Sequence, residues 1–442
     1  MATRVSAAAL LAASAAVAWL AVSIPLVARG LQVMIVASMA YVGWLAWRGG
    51  RVMRRAYADA RSGRAEPTGN AGEHPFVSLL LPARNEETVI AGAIESLGRL
   101  QYAGPEGQPA YEVLVVDDGS TDGTLARATE AADGLDQVDV RRREPGTGRR
   151  TKGAVLAWAQ PYLRGDVIGT IDADTRVDPA FLERAMRAWD RDGAAVALQV
   201  ARRARNAAVS WLTRAQEEEQ LMDMASQCGR WATDGTAELR GNGMFVRRAA
   251  LEEVGGWSEL ALTEDLELST RLAASGFHVA LAPEASVDEE AVETVAALWR
   301  QRLRWAEGSL RRLLEHGPRF VAGPQPLSRK VDFVAFAGEF LVPPLFAATV
   351  VASLVTIILP QPADWTVPTS LFAGYGLGVF ALALAGLRAS GVTGPPLIGR
   401  AVRGALFLSH WLLVVPFVLL RIAFAPEPGV FVQTPRFTDS DP

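Results

Sequence analysis

The 442-residue sequence contains a single cysteine, Cys228, which excludes an internal disulfide framework and fits a reducing compartment. Charge is scarce too: 21% of residues are charged and half are apolar. That balance excludes a disordered or fibrous chain and exceeds the apolar share of an ordinary soluble enzyme. There is no basic excess. The formal net charge is −4, which argues against a nucleic-acid partner, because neutralising phosphates needs a basic face. Two phosphate-binding signatures are missing as well. There is no G-x-x-x-x-G-K-[ST] loop and no G-x-G-x-x-G after the first strand candidate, so the chain resembles neither a P-loop NTPase nor a Rossmann dehydrogenase.

What is present is unevenly spread. Residues 6–28 and 31–47 are uncharged, and the second run ends in Tyr41, Trp44 and Trp47. A bilayer core needs about 20 helical residues, so residues 1–48 read as a transmembrane hairpin. Three more uncharged stretches lie at 340–359, 368–387 and 404–420, inside a region of interface and membrane helices expected over 321–425. Pro343 and Pro344 predict a break or kink at the start of the first. Arginines at 48, 51, 54, 55, 61 and 64, and again at 388, 400 and 403, place the intervening segment and loop 388–403 on the cytoplasmic side. Three C-terminal crossings would leave the tail, 426–442, outside, whereas Arg421 and Arg436 favour inside. Either one stretch is re-entrant or interfacial, or another crossing hides in 320–345.

Between these anchors, 49–75 reads as a linker, Gly/Pro-rich from 61, and 76–320 as a soluble α/β domain. Strand candidates at 77–81, 112–116, 138–142 and 166–171 alternate with helical patterns at 88–98, 121–132 and 153–163. That alternation predicts a parallel sheet with right-handed crossovers, which binds ligands at the carboxyl ends of its strands.

Those strand ends are acidic. Pro82, Ala83 and Glu86 follow the first strand, Asp117 and Asp118 the second, Asp172 and Asp174 the fourth. Asp and Ser at such turns also serve as helix caps, which accounts for Ser120 and Asp178. Two carboxylates two residues apart repel each other, and a hard divalent cation relieves that repulsion. Lys152 opens a helix after the basic run 141–152 and is expected near a nucleotide. Glu264 and Asp265 head a helix over 264–275, where acids also complement the helix dipole. Gln301, Arg304 and Trp305 fall on one face of a helix over 291–315, offering an amide, a guanidinium and an indole.

Taken in order, Asp-Asp-Gly-Ser, Asp-Ala-Asp, Thr-Glu-Asp and Gln-Arg-Leu-Arg-Trp between membrane helices resemble the membrane-embedded family 2 glycosyltransferases, the group of cellulose and hyaluronan synthases. Within it, 240–248 (RGNGMFVRR), Glu289-Glu290 and 298–315 are most similar to bacterial β-monoglucosyldiacylglycerol synthases. The resemblance implies a GT-A type, Rossmann-like domain set between N- and C-terminal transmembrane helices in a bacterial inner membrane. It implies an inverting transfer of a hexose from a UDP-sugar to a lipid such as diacylglycerol. The alternative is a processive polysaccharide synthase making a β-linked glucan or poly-N-acetylglucosamine. By the same resemblance Asp117 and Asp118 bind uridine, beside Pro82, Ala83, Glu86 and Lys152. Asp172 and Asp174 hold Mg2+ or Mn2+, Asp265 with Glu264 is catalytic, and Gln301, Arg304 and Trp305 bind the diphosphate and the acceptor end. Loop 241–243 lines the acceptor site.

Overall fold

The computed structural model describes residues 2–62, 75–144, 146, 151–360, 362 and 365–425. Two apolar helices open the chain, α1 (Ala2–Ser23) and α2 (Pro25–Ser62). The α/β unit follows as β1 (Val77–Ala83), α3 (Ile90–Gly98), β2 (Tyr111–Asp117), α4 (Thr124–Ala132), β3 (Val138–Arg142), α5 (Lys152–Ala159), β4 (Val167–Thr170), α6 (Phe181–Asp190), β5 (Ala197–Ala204), α7 (Trp211–Trp231), β6 (Met244–Arg247), α8 (Arg248–Glu253), α9 (Glu264–Ala274) and β7 (Val279–Glu289). The chain then continues through α10 (Val295–Ala322), α11 (Leu327–Ile358), α12 (Thr369–Ala389), α13 (Pro396–Leu408) and α14 (Trp411–Phe424).

The seven strands form one sheet in the order β3-β2-β1-β4-β6-β5-β7. The four strands read from the sequence are the parallel half, with Leu80 opposite both Leu114 and Thr170. β6 runs antiparallel to its neighbours β4 and β5. Both faces of β1 are buried, Leu79 and Leu81 under α3 and α6, Leu80 against α5 and β6. This is why the strand is uniformly apolar rather than alternating.

Five helical segments are long and apolar enough to cross a membrane: Thr3–Ser23, Pro25–Ala60, Leu327–Ile358, Thr369–Ala389 and Pro396–Phe424. Three expectations need correction. The linker predicted from residue 49 is helical as far as Ser62, and 63–74 lies outside the described residues. Gly49 and Gly229 let α2 and α7 cross with their backbones in contact. A Cβ on Gly49 would lie 1.9 Å from the Ala225 carbonyl oxygen, and one on Gly229 2.0 Å from that of Leu45. Of the break or kink predicted at Pro343 and Pro344, the break is absent, since α11 runs through both. In an apolar stretch, abandoning the helix would strand further backbone groups.

The third correction concerns the last apolar stretch, which is two helices rather than one. α13 docks on the α/β unit through Arg400 and Arg403, which both reach the fully buried Glu218 of α7. α14 touches α7 at one end and α10 at the other: Trp411 Nε1 donates to Glu219 Oε1 of α7 (3.3 Å), and Arg421 pairs with Glu307 of α10. Residues 426–442, the predicted tail, lie outside the described residues.

Candidate active site

The C-terminal ends of β1, β2 and β4 carry the acidic residues to one edge. Ala83 lies opposite Asp117, and its carbonyl accepts the Asp118 N–H (2.8 Å). Pro82 pairs with Val116 in the same ladder. The Glu86 N–H donates to Thr124 Oγ1 (2.7 Å), which ties the loop after β1 to the start of α4. The buried Asp117 receives the Ser120 N–H (3.3 Å) in a local turn. Asp118 pairs with Arg143 (2.6 Å) and faces Arg84 at 3.9 Å. Burial raises the Asp118 carboxyl above its ordinary range, with the two guanidiniums opposing that shift.

About 10 Å away, two strand spacings along the sheet, a second group gathers around Lys152. Its Nζ donates to Asp172 Oδ1 (2.5 Å) and to the Gly241 carbonyl oxygen (3.0 Å), and lies 3.6 Å from Glu264 Oε1. Burial alone would discharge this ammonium, but Asp172 and Glu264 outweigh it and hold its pKa above the ordinary lysine value. Gly241 has φ +79, and a Cβ there would sit 3.1 Å from Asp265 Oδ2. The close approach and the left-handed backbone both require glycine at that point. Asp172, Lys152, Glu264, Gly241 and Asp265, spread over more than 110 positions of sequence, therefore line one pocket. Burial pushes the carboxyls of Glu264 and Asp265 above their ordinary range, against the pull of Lys152 and, for Asp265, of Arg240 and Arg202.

The donor set suits a hard cation only in part. Asp172 and Asp174 both supply carboxylate oxygens; Asp172 is partly exposed, while Asp174 is 4% exposed and accepts the Glu290 N–H (3.2 Å). Among the described residues no group of three His, Cys, Asp or Glu side chains is set to hold a metal. Two carboxylates completed by water and diphosphate oxygens match the way Mg2+ is usually bound, and the residues fit on that basis.

The α10 residues divide. Trp305 stacks against Arg202 (5.7 Å) and Arg302 (4.2 Å). Arg202 is held by Glu289 through a two-pronged pair (2.6 and 3.0 Å) and lies in the field of Asp172. Trp305 is thereby joined to the Lys152 pocket. Gln301 Oε1 is buried with no hydrogen-bond partner among the described residues.

Sequence reasoning passed over the supporting residues. Asn242 receives the Asp172 N–H (3.1 Å) on Oδ1 and donates through Nδ2 to Glu289 (2.9 Å), so it fixes the start of the acidic turn. Arg240 grips Asp223 with two bonds (2.8 and 3.0 Å) and Glu238 with a third (2.9 Å). Arg312 of α10 donates to Glu238 (2.6 Å) and to Thr270 Oγ1 (3.2 Å), locking α10 onto α9. The Gly-Asn-Gly triplet was the visible signal for Asn242. The ion pairs had none.

Comparison with known proteins agrees with this geometry. The β-monoglucosyldiacylglycerol synthase of Synechocystis sp. is 35% identical over 378 residues, covering 83% of this chain and 76% of that one. The poly-β-1,6-N-acetyl-D-glucosamine synthase of Staphylococcus aureus is 27% identical over 248 residues, 55% of this chain and 57% of the other. Among solved structures, the mannosyltransferase PcManGT from Pyrobaculum calidifontis, in complex with GDP-Man and Mn2+, superimposes with a TM-score of 0.58 at 18% identity over 89% of this chain and all of that one. The GT-A type α/β fold expected from the sequence is the fold observed. The model described as "Glycosyl transferase family 2" matches residues 78–255, and "Glycosyl transferase family group 2" matches 167–423. With that second match running from β4 into α14, over more than half its length, this chain belongs to glycosyl transferase family 2.

Proposed function

We propose that this protein transfers glucose from UDP-glucose to diacylglycerol with inversion, giving a β-glucolipid at the cytoplasmic face of a bacterial inner membrane. One observation carries the reading: Lys152 contacts Asp172 and Glu264 at once, so the acids after β4 and those opening α9 share a single pocket. The identity to the Synechocystis synthase supplies the choice of donor and acceptor.

In this reading Asp265 accepts the proton of the acceptor hydroxyl while its oxygen attacks C1 of the sugar. The bond from C1 to the diphosphate breaks on the opposite face, and UDP leaves with the electron pair. A positioned base contributes typically 10²–10⁴-fold. Glu264 holds Lys152 at the diphosphate, and Gln301, Arg304 and Trp305 bind the diphosphate and the acceptor end. Asp117 and Asp118 bind the uridine, flanked by Pro82, Ala83 and Glu86. Asp172 and Asp174 are the residues that would hold Mg2+ or Mn2+, an ion that supplies positive charge to a leaving diphosphate when bound.

The contacts of α13 and α14 support a membrane topology for this reading. Because α14 meets α7 at one end and α10 at the other, it lies along the interface, and α1, α2, α11 and α12 are the four crossings. The chain then leaves α14 on the side of the α/β unit, in keeping with Arg421.

The test is incubation of membranes containing the protein with labelled UDP-glucose, followed by lipid extraction and mass analysis. A single glucosyl-diacylglycerol is expected. Label confined to a high polymer would overturn the reading in favour of a polysaccharide synthase.

A further inference from the structure

Glu339 is a carboxylate within an apolar membrane helix, a placement that is costly unless it serves a function. α11 leaves the α/β unit at its N-terminal end, where Asp332 receives the Tyr41 hydroxyl of α2 (3.4 Å) and pairs with Arg230 (3.0 Å). Glu339 lies seven residues further on, about 10 Å deeper at 1.5 Å per residue. Tyr41 is the deepest of the three aromatics that end the second apolar run, so Glu339 lies below that belt.

Its direction is fixed by its neighbours on the helix. At 100° per residue, Asp332, Phe336, Glu339 and Pro343 form one stripe. Asp332 and Pro343 are buried, and Phe336 stacks on Arg230 of α7 (4.3 Å) and Arg312 of α10 (5.8 Å). Val334 and Leu341, on the opposite side, are 54% and 46% exposed and form the lipid-facing surface. Glu339 therefore points towards protein, not towards lipid. It is nevertheless exposed, and it makes no hydrogen bond or ion pair among the described residues. A position that faces protein yet stays open marks a cleft between α11 and the underside of the α/β unit. The charges of Arg230, Arg240, Asp223 and Glu238 reach Glu339. Arg240 directly precedes Gly241, the residue packed against Asp265.

The geometry points to Glu339 as the entry site for the acceptor head: its carboxylate accepts the hydrogen bond of a neutral, hydroxyl-bearing lipid head on its way from the bilayer to Asp265, and repels heads that carry phosphate. This rests on the lipid-acceptor reading above. A hydroxyl has one proton to donate, so the two carboxylates bind it in turn. The unpaired carboxylate is what discriminates. It offers an acceptor to a hydroxyl and like-charge repulsion to a phosphodiester.

The test uses the full-length protein in vesicles, with diacylglycerol as acceptor and phosphatidic acid as competitor. Glu339→Ala is expected to raise the KM for diacylglycerol at least tenfold while turnover at saturating acceptor stays within about threefold. Glu339→Gln keeps a hydrogen-bonding group but not the charge. It should transfer to diacylglycerol with a KM near that of the unsubstituted protein, yet be inhibited by phosphatidic acid at concentrations that leave the unsubstituted protein unaffected. UDP affinity serves as the folding control for both. An unchanged diacylglycerol KM in Glu339→Ala, with the unsubstituted protein active, overturns this inference alone. An unsubstituted protein inactive on diacylglycerol overturns the proposed function with it.

Discussion

Two halves of the α/β unit are held together by different forces. Around β1 and β2 the interior is aliphatic: Val77, Leu79, Leu81, Ile90, Ile94, Leu97, Val113 and Val115 pack with almost no exposure. Beneath the sheet, where α7, α9, α10 and α11 meet, buried charge replaces them. Glu218 and Glu307 are fully buried, and Arg230, Glu238, Arg302, Arg312 and Asp332 are nearly so. Aliphatic packing is non-directional and tolerates change of partner. A buried ion pair demands one partner in one place, and losing it leaves an uncompensated charge. The half built on β1 and β2 is thus a general α/β scaffold, and the half beneath the sheet is individually wired.

That contrast can be broken or sharpened. The largest effect is expected at the junction of the halves. Asp265→Asn should lower turnover by about 10²–10⁴-fold, the range for a positioned base, while UDP affinity measured by calorimetry is unchanged. Near-normal turnover would remove Asp265 from the base role.

Next comes the wiring itself. Glu238→Ala removes the shared partner of Arg312, Arg230 and Arg240, and should destabilise the protein by about 3–5 kcal/mol in detergent unfolding. Leu79→Val in β1 trims aliphatic volume without stranding a charge, and should cost only about 0.5–1.5 kcal/mol, the range for losing one methylene group. Equal costs would erase the distinction between the halves.

The two halves also separate with pH. Burial raises the Asp265 carboxyl, so turnover should rise with pH through a midpoint above the ordinary aspartate value of 3.8. Glu238 moves the other way: burial would raise it, but Arg312, Arg230 and Arg240 hold it at about 2, below its ordinary 4.5. A group depressed in the folded state stabilises above its unfolded pKa and loses that contribution as pH falls through the folded one. On acidification, activity should therefore fail first and the fold between about 4.5 and 2. Simultaneous loss of both, followed by turnover and circular dichroism, would contradict this order. The smallest effect belongs to the surface. Glu95 and Arg99 form an exposed i,i+4 pair at 3.7 Å, and Glu95→Ala should change stability by no more than about 0.5 kcal/mol.

Legibility followed the same division. Val77–Ala83, Tyr111–Asp117 and Val167–Thr170 stood out because buried parallel strands are largely apolar runs, and Asp117, Asp172 and Asp174 because they end or follow such runs. β5, β6, β7 and α7 went unread. Their strands are short or carry charge, as Arg202 and Arg203 in β5 do, and α7 buries Glu217, Glu218 and Arg230 against partners elsewhere in the chain. Glu238 meets Arg312 across 74 positions and Glu218 meets Arg403 across 185, separations that leave no period or spacing to detect. The division of the last apolar stretch into α13 and α14 was hidden for the same reason, since composition registers its apolar residues but not the Arg421–Glu307 pair.

The measurement that bears most directly on a shared pocket is the anomeric configuration of the product, read from the coupling of its anomeric proton by NMR. In the proposed mechanism the acceptor oxygen activated by Asp265 attacks C1 on the face opposite the leaving diphosphate, so an α-linked donor should give a purely β-linked glucolipid. An α-linked product would mean that acceptor and donor do not meet as described.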